Sequence, residues 1–211
     1  MKENFKKYLV EFIGTFFLVF TVGSVILLEP SNTIPALAIG FALMIMVYAG
    51  GPISGGHYNP AVSLAATLRG ALDAREFLPY IVAQSLGAIA AAFLTIYLSV
   101  PIDEPAVFNI TPLVIGELLF TFALCYVVLL TATQPKVEGN SYFGLAIGST
   151  VTVGIFAVSS ICLAAFNPAV ALGLGIMGIA SWELIIITII TNLFGGLIAA
   201  CTYKLVSYES Y

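Results

Sequence analysis

The 211-residue chain is 60% hydrophobic and only 9% charged, with a formal net charge of −4 and a mean hydropathy of +1.07. Soluble domains carry about a quarter charged residues because their surface faces water, so these values exclude a soluble globular protein and imply one embedded in a membrane. The charge is too small and too dispersed for a nucleic-acid partner. Cys125, Cys162 and Cys201 are odd in number and set in apolar stretches, so they read as packing residues and not as a disulfide framework.

In chain order, six stretches read as full spans: residues 8–28, 34–51, 77–100, 112–133, 142–160 and 182–206, each near the ~20 apolar residues a bilayer requires. Residues 59–69 and 167–178 are apolar but about half that length, too short to cross as helices. Turn-rich breaks at 29–32, 101–105 and 134–140 separate spans. With six spans, all seven basic residues (Lys2, Lys6, Lys7, Arg69, Arg75, Lys136 and Lys204) fall on the side of the N-terminus. The opposite loops hold Glu29, Asp103, Glu104 and Glu183 and no Lys or Arg. The positive-inside rule then predicts a multi-pass cell-membrane protein with both termini cytoplasmic.

The chain repeats itself. Glu11-Phe12-Ile13-Gly14-Thr15-Phe16 in the first span matches Glu117-Leu118-Leu119-Phe120-Thr121-Phe122 in the fourth, and Tyr58-Asn59-Pro60-Ala61-Val62 matches Phe166-Asn167-Pro168-Ala169-Val170. Glutamate and asparagine are 48 residues apart in one half and 50 in the other, so the halves keep register. Each half holds three spans, an odd number, so the second lies upside down relative to the first, an arrangement that tends to place a pathway near the midplane. The expected fold is therefore an all-α polytopic membrane domain over 1–211, with six transmembrane helices, two re-entrant half-helices and repeats at about 8–100 and 112–206.

The short segments acquire a purpose in that frame. Asn is a good N-cap and Pro is favoured at the first helical position, so each Asn-Pro-Ala reads as a helix start. Inversion brings the two short helices in from opposite faces to meet by their N-termini, each carrying about +0.5 of a charge from its backbone dipole. Residues 50–57 and 161–166 are expected to run extended ahead of the motifs and offer carbonyls to a pore.

The two motifs, the two Glu-x-x-x-Thr spans, and Gly40, Gly87, Gly148 and Gly195 at expected helix crossings resemble the aquaporins, the major intrinsic proteins, over the whole chain. That resemblance implies a homotetramer with one pore per subunit, passing water and small neutral solutes across the bilayer. It also implies that Asn59 and Asn167 are paired donors at the pore centre, their oxygens held by backbone and their N–H₂ groups free for the lumen. Pro60, Ala61, Pro168 and Ala169 complete the motifs. Where most members carry an arginine after the second Asn-Pro-Ala, this chain has Val170. The other outer-filter positions fall on Ile39, Ile155 and Ala164. The filter is then apolar throughout, similar to those of some plant tonoplast intrinsic proteins, which usually have a histidine at the position of Ile39. A wider apolar ring could admit ammonia, urea, hydrogen peroxide or glycerol beside water, or could resist wetting and conduct poorly. The glycerol-facilitator pair, Arg then Asp, is absent, since Ala171 follows Val170.

Glu11 and Glu117 are ionisable residues inside spans, costly unless paired or turned to a polar interior. As a relay they would make the chain an ion- or proton-coupled secondary transporter. The alternative, implied by the resemblance, has each accept hydrogen bonds from backbone N–H groups of a re-entrant loop. His57, the sole histidine, is expected to brace the first loop and show one face to the inner pore, and Cys162 is a candidate for block by a thiol reagent. No nucleophile–base pair, metal cluster or phosphate loop is legible, so neither an enzyme nor a cofactor is expected.

Overall fold

The structure, a computed structural model, describes residues 2–100 and 104–207, the first two by backbone alone. Asp103, counted above among the acidic loop residues, lies outside them, as does the side chain of Lys2. Among the described residues eight α-helices follow one another: α1 (Lys2–Leu27), α2 (Pro35–Ser54), α3 (Pro60–Arg69), α4 (Ala74–Leu98), α5 (Ile110–Ala132), α6 (Phe143–Val158), α7 (Pro168–Ile176) and α8 (Trp182–Val206). Among the described residues the only strand-like pairing is one parallel bridge, Ala106 with Ala180.

Five of the helices, α1, α2, α4, α5 and α8, are long and apolar enough to cross a bilayer. The sixth expected span is shorter than the sequence suggested. α6 has 16 residues, about 24 Å at 1.5 Å per residue, because the chain tightens into a turn after it, with Ile161 N and Cys162 N both donating to Val158 O at 2.9 and 3.1 Å. α3 and α7, with 10 and 9 residues, reach about half the hydrocarbon thickness. Large apolar side chains point outward, Phe93 62% and Phe156 63% exposed, while Glu11, Glu117, Gln84 and Asn192 are completely buried. Apolar outside and polar inside is the pattern expected where lipid is the solvent.

The helices pack in a symmetric scheme. Exchanging α1 to α4 with α5 to α8 maps each packed pair onto another: α1–α4 onto α5–α8, α1–α2 onto α5–α6, α3–α8 onto α7–α4, and α2–α6 onto itself. At the self-related seam the backbones touch directly, for a Cβ added to Gly40 would lie 2.7 Å from Gly148 O, and one added to Gly148 would meet Met44 Cβ at 2.7 Å. Gly87 meets the α1 backbone at Phe12 and Phe16, and Gly195 meets Phe122 N on α5. Small residues let helices approach where lipid supplies no hydrophobic drive for association. Gly148→Leu is expected to force α2 from α6 and cost about 1–3 kcal/mol, seen as a lower melting temperature of the detergent-solubilised protein. An unchanged melting curve would show that no such contact exists.

One local expectation is corrected. The run from Gly50 to Ser54 is helical, not extended, even though Pro52 lies inside it. Tertiary packing overrides the breakers here: the Tyr58 ring occupies the space beside Gly50, and Gly55, at φ +89°, caps the helix with its N–H on Gly51 O. Only the residues from Gly55 to the motif leave helical geometry.

Candidate pore

Each Asn-Pro-Ala starts a half-helix as its composition dictates. Asn59 and Asn167 are extended N-caps, at φ −155° and −159°. Their carboxamide oxygens accept from Ala61 N at 2.8 Å and Ala169 N at 2.9 Å, and Pro occupies the next position, where no N–H is required. The two caps are also bound to each other's loops. Asn59 Nδ2 donates to Phe166 O and Asn167 Nδ2 to Tyr58 O, both at 2.9 Å. The earlier expectation that each N–H₂ is wholly free is therefore amended: one N–H of each is spent on the opposite loop and one remains.

The carbonyls that receive those bonds belong to residues in the left-handed region, Tyr58 at φ +50° and Phe166 at φ +48°. Bulky side chains adopt that conformation rarely, at a cost of order 1–3 kcal/mol. The two buried glutamates hold it in place. Glu11 Oε1 accepts from His57 N at 2.9 Å and Ser54 Oγ at 2.7 Å, and Oε2 accepts from Tyr58 N at 2.7 Å and Gln84 Nε2 at 2.8 Å. Glu117 Oε1 accepts from Ala165 N at 3.0 Å and Oε2 from Phe166 N at 2.9 Å. The surrounding donors and acceptors orient the Asn192 amide: its nitrogen donates to Glu117 Oε2 at 3.0 Å and to Thr121 Oγ1 at 2.8 Å, and its oxygen accepts from Asn167 N at 2.9 Å.

Gln84 and Asn192 were missed from the sequence. The signal was present, since each is a lone amide in an apolar span, 73 and 75 residues after its glutamate. Ser63, which bonds both Gln84 and His57, offered no signal, because it sits among small residues on a half-helix.

Asn59 and Asn167 open onto a single cavity of about 280 Å³. Ile39 of α2, Ile155 of α6, Ala164 and Val170 line the same cavity, as do His57 and Cys162. Residues far apart in sequence thus converge because the half-helices, packed against each other and against α4 and α8, meet the directly packed α2–α6 pair across this cavity. The walls are otherwise aliphatic, with Leu43 and Val151 among them. Of the other two cysteines, Cys125 is buried and Cys201 is exposed.

The family model described as "Major intrinsic protein" matches residues 1–203. The chain is a major intrinsic protein. It is 34% identical to "Aquaporin NIP1-1" of Oryza sativa subsp. japonica, over 97% of this chain and 75% of that protein. It is also 34% identical to "Probable aquaporin TIP-type" of Medicago truncatula, over 99% of this chain and 89% of that protein. In fold it is similar to the aquaglyceroporin from Plasmodium falciparum, with a TM-score of 0.78 at 20% identity and 97% of each chain covered. This major intrinsic protein therefore has the aquaporin fold, six membrane helices and two re-entrant half-helices in an inverted repeat, and it is a membrane transport protein.

Proposed function

We propose that this major intrinsic protein is a passive channel for water and small uncharged solutes, with its lumen running past Asn59 and Asn167 and through a filter of Ile39, Ile155, Ala164 and Val170. The observation that carries the reading is the convergence of the two capping asparagines, each with one uncommitted N–H, and the four apolar positions on one cavity. Two positive half-helix ends and fixed amide donors favour water oxygens and oppose cations. The names of the relatives, aquaporins and an aquaglyceroporin, agree with water and small polyols as permeants. A relay through Glu11 is disfavoured because its two oxygens already accept four hydrogen bonds, which supports a static pore over a coupled carrier. We further assign a single channel domain per chain, a homotetrameric assembly, and cytoplasmic termini, the last from the distribution of basic residues.

An arginine at position 170 would narrow the filter and add fixed donors. Stopped-flow light scattering on proteoliposomes given water, glycerol, urea and ammonia gradients tests this. Val170→Arg is expected to lower urea and glycerol flux about tenfold, a barrier rise of 1.36 kcal/mol, and water flux by much less. Unchanged solute flux would remove Val170 from the filter.

A further inference from the structure

His57 is the sole histidine of the chain, and the protons around it can be counted. Gln84 Nε2 carries two protons and faces two acceptors, Glu11 Oε2 at 2.8 Å and Ser63 Oγ at 2.9 Å, so both protons are committed. Ser63 Oγ accepts from Gln84 and has one proton of its own to donate. Ser63 is completely buried, and its other hydrogen-bonding neighbour is His57 Nδ1 at 3.1 Å. A buried hydroxyl proton goes to an available acceptor, and the Gln84 nitrogen has no acceptor capacity. His57 Nδ1 therefore accepts, and a neutral imidazole that accepts at Nδ1 carries its proton on Nε2. Among the described residues Nε2 has no hydrogen-bond partner, while His57 is part of the cavity wall.

We infer that Ser63 and Gln84 lock His57 in the Nε2–H tautomer and make it a third fixed donor of the lumen, below the paired asparagines. Resting on the channel reading above, the consequence is directional. Asn59, Asn167 and His57 all present N–H groups to the water file. The other tautomer would place a bare acceptor there, able to take a proton from a passing water. Ser63 and Gln84 act through His57 and are positioning residues for proton exclusion.

Because there is only one histidine, histidine-selective ¹⁵N labelling gives one pair of ring-nitrogen signals in the full-length protein in bilayers. The expected spectrum of the parent has the proton on Nε2 and a bare Nδ1. Ser63→Ala removes the hydroxyl donor and is expected to populate the Nδ1–H form, and Gln84→Met does so independently should the first variant fold poorly. A proton on Nδ1 in the parent, or on both nitrogens, overturns the inference, and so does a parent-like spectrum in both variants. In proteoliposomes, Ser63→Ala is expected to raise proton flux relative to water flux about threefold, equivalent to about 0.65 kcal/mol. A spectral change with no change in that ratio removes His57 from the lumen while leaving the lock. Failure of the filter reading would appear separately, as Val170→Arg without effect on solute flux and with unaltered spectra.

Discussion

Glu117→Gln and Glu11→Gln are each expected to collapse the channel, although the substitution changes one atom. Each carboxylate oxygen accepts from a loop N–H: His57 N and Tyr58 N are divided between the two oxygens of Glu11, and Ala165 N and Phe166 N between those of Glu117. An amide has one oxygen, so its NH₂ must face at least one of these donors. A buried donor left unpaired costs about 1–3 kcal/mol, and the clash falls where Tyr58 and Phe166 already hold φ near +50°. Once a loop relaxes, its carbonyl no longer receives the opposite asparagine, so damage in one half disorders the other. The expected result is a markedly lower melting temperature and water flux near that of empty liposomes. A titrating relay residue would behave differently: its amide variant would fold and still pass water. Full water flux with a parent-like melting temperature in either variant would return the glutamates to a relay role.

The second large effect concerns charge at the meeting point of the half-helices. Asn59→Asp and Asn167→Asp are expected to keep the half-helix starts, because Asp caps a helix as well as Asn and suits its positive end. What changes is the lumen. Each helix start contributes about +0.5 of a charge, roughly +1 in all, and one carboxylate brings the total to about zero while two make it about −1. The remaining amide N–H on that side is lost as well, and the bond to Phe166 O or Tyr58 O with it. Cation leak relative to water flux is expected to rise in each single variant and further in the double variant, measured with sodium and proton gradients across proteoliposomes. A folded double variant that remains tight to both cations would show that the asparagines do not face the conduction path.

Much of this protein was legible without coordinates. The bilayer as solvent forces long apolar stretches into helices, so composition alone announced the membrane and the spans. Asn followed by Pro is a local device, satisfied within three residues, so the starts of α3 and α7 followed from the motif. The glutamates stood out because a charge in a span needs a reason.

Other features lay beyond sequence reading because they depend on groups from both halves at once. That α2 continues through Pro52 depends on where the Tyr58 ring packs. That each asparagine spends one N–H on the opposite loop depends on two carbonyls over a hundred residues away in sequence. The Ser63–His57–Gln84–Glu11 network joins α1, the first loop, α3 and α4. The sequence by itself determined the membrane class, the inverted repeat and the half-helix starts, because propensity, capping and hydrocarbon solvation act on neighbouring residues. Only the tertiary structure decided which donors remain free to face the cavity, because that depends on how every buried polar group is paired.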